Sequence, residues 1–425
     1  MPHSARQTNS PSDFVQMWRS GRGSSRPRTS KLTADLDYTA GFQHVRSASR
    51  LLLRADAVDA VSEEADRLGC QRLMLVAGRR TSTSEVFTRI RHNLGSRVAT
   101  VYDEVVQHAG TDSITKGLAK GQATNIDGLV AVGGGSAIDT AKAIALVLAE
   151  GGQIEDHASV LTPSGQLVAP PLSKAKLPIF AVPLTASAAE VTPGLSVRGA
   201  DGRKLLFWDA QLAARVIFLD PKANLDVPAA LMARTAMNAL AHAAEGLYSL
   251  ARSPITDAIA RESARRLGRA MPAMAKDPRS VAARGELLLG AHLSGHVISN
   301  ARTGIGHAVC HCLGALGGLT HGDAHSVMLP HVLRFNRSAA PEALQALGAA
   351  LLDRPESSTD AEEAIRGIQS LQQALGLPTR LRDLGVDSEL LPEIAQHAVR
   401  ERGILFNPLP VKDSSAVLDL LKSAW

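Results

Sequence analysis

The stretch GLVAVGGGSAIDTAKAIALVLAE (Gly128–Glu150) limits the fold more than any other part of the chain. A short apolar run without polar alternation is a strand buried on both faces. Such strands belong inside a parallel sheet covered by helices. Three glycines then lead straight into a Ser-opened, Ala/Ile/Leu-rich helical pattern. Without Cβ atoms the backbone at Gly133, Gly134 and Gly135 can approach a ligand closely, and the free N–H groups at the helix start, from Ser136 on, attract an anion. A pyrophosphate is the natural occupant, and a plain turn is the alternative reading. The spacing is not that of the glycine fingerprint of dinucleotide folds, nor of a P-loop, because no Gly-Lys-Ser/Thr follows.

The rest of the first half repeats the same unit. An amphipathic stretch at 56–68 precedes the strand Arg72–Gly78. A helix around 84–94, the strand RVATVYDEV, a helix near 113–122, the strand Leu177–Leu184 and the strand RVIFLDP follow. Strands separated by single helices predict a doubly wound, mainly parallel sheet with right-handed crossovers, and ligands bind such sheets at the carboxyl ends of the strands. The Pro- and Gly-containing segment 151–176 reads as a long surface loop, and VPLTASAAEVTPG offers Thr185, Ser187 and Thr192 to a cofactor groove. Asp139 suits the positive end of its helix, and Lys142 is expected to reach phosphate or solvent. After the strand at 72–78, where an acidic residue would hold a ribose 2′-hydroxyl, the chain reads Ala77-Gly78-Arg79-Arg80. Two arginines there suit a 2′-phosphate, and a solvated pair is the alternative.

From Leu225 onward the periodicity is helical, with runs at 236–250, 255–275, 280–299, 341–352, 359–375 and 387–401. The expected organisation is a disordered extension at 1–36, an α/β dinucleotide-binding domain at 37–222 and an all-α domain at 223–425, with a cleft between the last two. Five of the fourteen histidines fall within Gly304–His331. His307 and His311 are four apart, as are Asn238 and His242, so each pair shares a helix face. His321 and His325 follow a glycine-rich bend. Three or four such ligands from facing helices can hold one divalent metal with a position left open for substrate. A packed, hydrogen-bonded set of histidines is the competing reading. A zinc site using Cys310 and Cys312 lacks the spacing of structural zinc sites.

Three cysteines (Cys70, Cys310, Cys312) do not make a disulfide framework, which points to a reducing, cytoplasmic setting. The net charge of +5 is a weak argument for nucleic acid, because Arg6, Arg19, Arg22, Arg26, Arg28 and Lys31 face only Asp13 at the start of the chain. No apolar run reaches the roughly 18 residues of a membrane span. Neither nucleic acid nor membrane is an expected partner.

GGGSAIDTAKAIAL, MNALAHAAEGLYS, GIGHAVCHCLG and THGDAH, in this order, resemble the signature regions of the iron-containing alcohol dehydrogenase superfamily. Nearly the whole chain after about residue 38 is covered. MNALAHAAEGLYS, HAVCHCLGALGG, the short VPLTASAAEVTP and the tail ILFNPLPVKDSSAVLDLL most resemble its maleylacetate reductase branch. The resemblance implies the dehydroquinate synthase-like architecture, an α/β domain followed by a helical one. It also implies NADH or NADPH held by the glycine loop, and hydride transfer near a metal position. The expected dinucleotide contacts are Gly78, Gly133, Gly134, Gly135, Ser136, Asp139, Thr185, Ser187 and Lys204.

In metal-dependent members an Asp and three His bind Fe²⁺ or Zn²⁺, and the matching positions here are Asn238, His242, His307 and His321. His311 matches a histidine proposed to relay protons, and His307 and His325 complete the expected catalytic set. Asn238 departs from that pattern: an amide in place of the carboxylate removes one unit of compensating charge. The maleylacetate reductases resemble this sequence in having Asn there. The long 151–176 loop is closer to the alcohol dehydrogenases, and Ala188-Ala189 stand where the family has a Gly-Ser pair. The implied reaction is reduction of a small acidic substrate, maleylacetate to 3-oxoadipate in aromatic-compound breakdown, by a homodimer. The positive cleft is expected from His242, His307, His321 and His325 with help from Arg302. A metal-dependent alcohol or aldehyde dehydrogenase on the same scaffold is the alternative.

Overall fold

Four consecutive buried strands set the frame, each apolar on both faces because helices cover both. The computed structural model describes residues 41–425 apart from 108, 162–166, 201 and 203; the expected extension at 1–36 lies outside the described residues. Strands β1 (Arg50–Leu53), β2 (Leu73–Val76), β3 (Val98–Tyr102), β4 (Gly128–Gly133), β7 (Ile179–Pro183) and β10 (Val216–Leu219) form one six-stranded sheet. Its order is β1-β10-β7-β4-β2-β3 and every pairing is parallel. Along β4, Leu129 and Ala131 join one core while Val130 and Val132 join the other, the period of two expected of a pleated strand. One of these cores continues without a break into the helical half.

Around the sheet lie α1 (Val61–Leu68), α2 (Arg79–Ser82), α3 (Glu85–Leu94), α4 (Thr111–Ala123) and α5 (Gly135–Glu150). The chain leaves β2 toward β3 on one side and leaves β4 toward β7 on the other. That reversal opens a crevice at the carboxyl ends of β2 and β4, where open α/β sheets take their ligands. Gly78 and the triple glycine sit at its two lips.

Two small antiparallel hairpins depart from the sequence reading. The expected loop at 151–176 contains β5 (Val160–Leu161) paired with β6 (Leu167–Val168). β8 (Gly194–Arg198) and β9 (Lys204–Trp208) form a longer hairpin, separate from the sheet, that buries Leu195, Val197 and Phe207 in the main core. Their alternation was hidden because both strands are short and partly exposed.

The second half is helical: α6 (Ala229–Tyr248), α7 (Pro254–Lys276), α8 (Val281–Ala301), α9 (Ile305–Gly317), α10 (His321–Asn336), α11 (Pro341–Leu352), α12 (Ala361–Ala374), α13 (Leu391–Ala398) and α14 (Ser414–Ala424). No described helix is long and apolar enough to cross a membrane. The halves are tied at the connection itself. Buried Arg284 on α8 donates to Asn224 O (2.8 Å) and Val227 O (3.0 Å), absorbing carbonyls that the turn leaves bare.

Candidate active site

The glycine loop is shaped by what stands opposite it. Gly133 has φ +148°, outside the range that side chains favour. A Cβ on Gly134 would come within 3.0 Å of Thr185 Oγ1, and one on Gly135 within 3.5 Å of Ser187 Oγ. Two hydroxyls and bare backbone thus make a cradle at the N-terminus of a 16-residue helix that begins Gly135-Ser136. This arrangement fits a diphosphate. Asp139 Oδ2 accepts from Ser196 N at 3.3 Å, and burial raises its carboxyl. Arg79 and Arg80 are exposed beyond Gly78 on the other lip.

Lys142 does not behave as expected. It is fully buried, and Nζ donates to Ala189 O (2.6 Å), Thr192 O (2.7 Å) and Gly194 O (2.9 Å). Burial pushes its ammonium down to about 8. It is a strut under the 189–194 segment, with no reach to phosphate or solvent, because the three N–H donors of its ammonium are engaged by these carbonyls.

Four of the five clustered histidines converge, joined by His242 from α6. His242 stacks on His307 (ring centroids 4.8 Å apart, 20° between planes), and His307 meets His325 at 4.2 Å. His311 lies 6.1 Å from His307 and 5.5 Å from His321. The fifth, His331, goes elsewhere and bonds Ser423 Oγ at 2.9 Å.

Hydrogen bonds assign the tautomers. His307 Nδ1 donates to Glu245 Oε2 at 2.7 Å, leaving its buried Nε2 without a partner. His242 Nδ1 donates to Ser294 Oγ at 3.2 Å, so its Nε2 accepts from Asn238 Nδ2 at 3.4 Å. His311 Nδ1 donates to Glu401 Oε2 at 3.1 Å. Cys310 Sγ stands 3.5 Å from His325 Nδ1, and His325 Nε2 is unpartnered. His321 Nε2 accepts from Lys204 Nζ at 3.1 Å.

Sequence reasoning missed Glu245. On α6 it lies three residues beyond His242, on the same face. It is buried and also accepts from Gly304 N (2.8 Å), His307 N (3.0 Å) and Tyr248 OH (3.2 Å). The first two are among the N–H groups at the start of α9 that have no partner within the helix. One carboxylate therefore caps α9 and aims His307. The signal was present as AHAAEG, but a Glu among alanines on a helix reads as a solvated face.

The residues matching the family's metal ligands do not form a metal site here. Among the described residues no three His, Cys, Asp or Glu side chains are arranged to hold an ion. His242 Nε2 faces an amide N–H and His321 Nε2 faces an ammonium; both are donors, and a lone pair engaged by a donor is not offered to a cation.

The expected imidazolium cleft also needs correction. Burial, reinforced by neighbouring His307, holds His242 well below the usual imidazole value. Burial and His311 do the same for His307, and burial and His307 for His325. For His321 the largest cause is the Lys204 ammonium. Packed rings that share little water cannot all be charged. Positive charge in this region comes instead from Lys204, Arg302 and Arg402. Arg302 caps α8 with φ +64° and stacks over Trp208 at 5.0 Å. Arg402 follows Glu401, and Gly403 packs on Thr303 and Gly304.

A stability consequence follows for pH. The folded-state values of the clustered rings lie well below the ordinary 6.5, and burial holds His296 and His331 at about 4. The stabilisation from keeping these rings neutral is complete above pH 6.5 and is lost as pH falls toward the folded values. Tm should drop between about pH 7 and about pH 5 in a scanning-calorimetry series. A Tm that rises over that range would refute the neutral assignments.

The chain matches the family described as "Iron-containing alcohol dehydrogenase" over residues 48–221 and "Fe-containing alcohol dehydrogenase family, C-terminal" over 232–425. It is 33% identical to alcohol dehydrogenase 4 of Saccharomyces cerevisiae over 327 residues, covering 76% of this chain and 83% of that one. It is 29% identical to a maleylacetate reductase of Pseudomonas aeruginosa over 385 residues, covering 90% of this chain and 97% of that one. The crystal structure of maleylacetate reductase from Agrobacterium tumefaciens superposes with a TM-score of 0.76 at 28% identity, over 91% of this chain and 98% of that one.

Proposed function

We propose that this chain, which belongs to the iron-containing alcohol dehydrogenase family and is an oxidoreductase, reduces maleylacetate or a closely similar unsaturated keto diacid with NADH or NADPH. The observation that carries the choice of branch is Asn238, where the metal-dependent pattern needs a carboxylate; near-full-length likeness to maleylacetate reductases supports it.

Gly133–Ser136, Thr185 and Ser187 hold the dinucleotide's diphosphate. Arg302 and Arg402 present charge to the substrate carboxylates, as guanidinium suits planar carboxylates. When bound, the reduced nicotinamide supplies a hydride. His311, oriented by Glu401, delivers the matching proton through Nε2; its side chain is 21% exposed, which lets it recharge from water.

The test follows nicotinamide absorbance with purified protein, offering maleylacetate with NADH or NADPH, and primary alcohols with the oxidised forms, each with and without EDTA. Reduction of the keto diacid unaffected by EDTA is expected. Alcohol oxidation abolished by EDTA, with no keto diacid turnover, would replace this reading by a metal-dependent alcohol dehydrogenase. For cofactor choice, Arg79→Ala/Arg80→Ala should raise KM for NADPH about tenfold, an interaction of about 1.4 kcal/mol, and leave KM for NADH unchanged. Equal effects on both would assign the pair to solvent.

A further inference from the structure

A cavity of about 760 Å³ lies away from the histidine cluster, between α10, α12 and α14. That is a size at which clefts take small molecules. Pro330, Phe335 and Leu420 give it a mostly apolar wall, and Arg334 and Arg380, both exposed, add two guanidinium groups. No Asp or Glu lines it, so nothing within the cavity neutralises that charge. Arg380 Nη1 donates to Ser423 O at 3.2 Å, which ties it to α14. The cavity also connects to the active site along α10. Arg334 follows His325 by about 14 Å of helix. Between them, Pro330 has no N–H, so Ser326 O lacks the helical bond it would accept from that position. Gln372 of α12 makes up the loss: its Nε2 donates to Ser326 O at 2.5 Å, and the same side chain lines the cavity. Ser326 in turn follows His325, whose ring meets His307 at 4.2 Å.

We propose that this cavity is a second binding site, for a small organic anion with an apolar body, and that its occupancy is transmitted to His325 through the Gln372–Ser326 bond. The headgroup, a carboxylate or a phosphate, pairs with Arg334 and Arg380, whose planar forks of donors suit either. The body displaces water from Pro330, Phe335 and Leu420. An inorganic anion leaves that wall wet, and a neutral body leaves two guanidinium groups without a counter-charge. Only a ligand with both parts satisfies the whole lining. Once seated against Gln372, it bears on the backbone that carries one of the clustered rings.

The experiment is calorimetric titration of the full-length protein with benzoate, phenyl phosphate, inorganic phosphate and benzyl alcohol. At least one of the two aromatic anions should bind, and the better of them identifies the headgroup. Inorganic phosphate and benzyl alcohol should bind at least about tenfold more weakly. Arg334→Ala/Arg380→Ala should weaken the aromatic anion by more than about tenfold. Gln369→Trp, at an exposed position of the lining, should block it while keeping both charges. Arg302→Ala should leave this binding in place, which separates the cavity from a site for the acidic substrate. Hydrogen exchange across residues 322–332, read by mass spectrometry, should slow when the anion binds to wild type but not when it binds to Gln372→Met. No binding of either aromatic anion, binding that survives both cavity variants, or inorganic phosphate held as tightly as phenyl phosphate would overturn the site. Unaltered exchange in wild type at saturating ligand would overturn its connection to His325. Every readout is taken without turnover, so the outcome is independent of the reductase reading.

Discussion

Glu245→Ala is expected to lower the free energy of unfolding by about 3–5 kcal/mol. The carboxylate accepts from two backbone N–H groups at the start of α9, from His307 Nδ1 and from Tyr248 OH, all in the interior. Each buried donor left without an acceptor costs about 1–3 kcal/mol, and water entering the void recovers only part of that. Urea denaturation with an unchanged m-value is the measurement. A loss under about 1 kcal/mol would show that the α9 terminus is satisfied in some other way. An independent check lies at Gly306, where an added Cβ would collide with Glu245 Oε1. Gly306→Ala should therefore destabilise in the same way and lower activity, because it displaces the group that aims His307.

His311→Ala should reduce kcat by about 10²–10⁴ while changing unfolding free energy by under about 1 kcal/mol. The contrast with Glu245 follows from position. His311 is partly exposed and makes one side-chain bond, to Glu401, so the fold depends on it little. Its value lies in presenting Nε2 to the cluster. Glu401→Gln should give a smaller loss of kcat, because the amide still accepts from Nδ1 but no longer stabilises the charged ring. Unchanged turnover in His311→Ala would remove this residue from the mechanism, and proton delivery would pass to another group of the cluster.

Residues that announce themselves by pattern were legible in the chain alone. The apolar runs at 73–76, 128–133, 179–183 and 216–219 became the parallel sheet, because a strand flanked by helices must be apolar on both faces. The triple glycine became a strand-to-helix turn, in which Gly133 takes a φ of +148° that side chains disfavour. The i, i+4 spacing of His307 and His311 put both on one face of α9, since helical geometry is set by the chain itself.

What the sequence could not specify depends on partners far away along the chain. The roles of Lys142 and Lys204 are the clearest case: both are lysines beside polar loops, yet one braces three carbonyls and the other meets His321. Glu245 looked like surface and proved to be the cap of another helix. The protonation of the histidines belongs to the same class, because it depends on how many rings are packed together away from water. Local backbone and periodicity are written into neighbouring residues; charge, tautomer and partner arise only when separate elements close around one another.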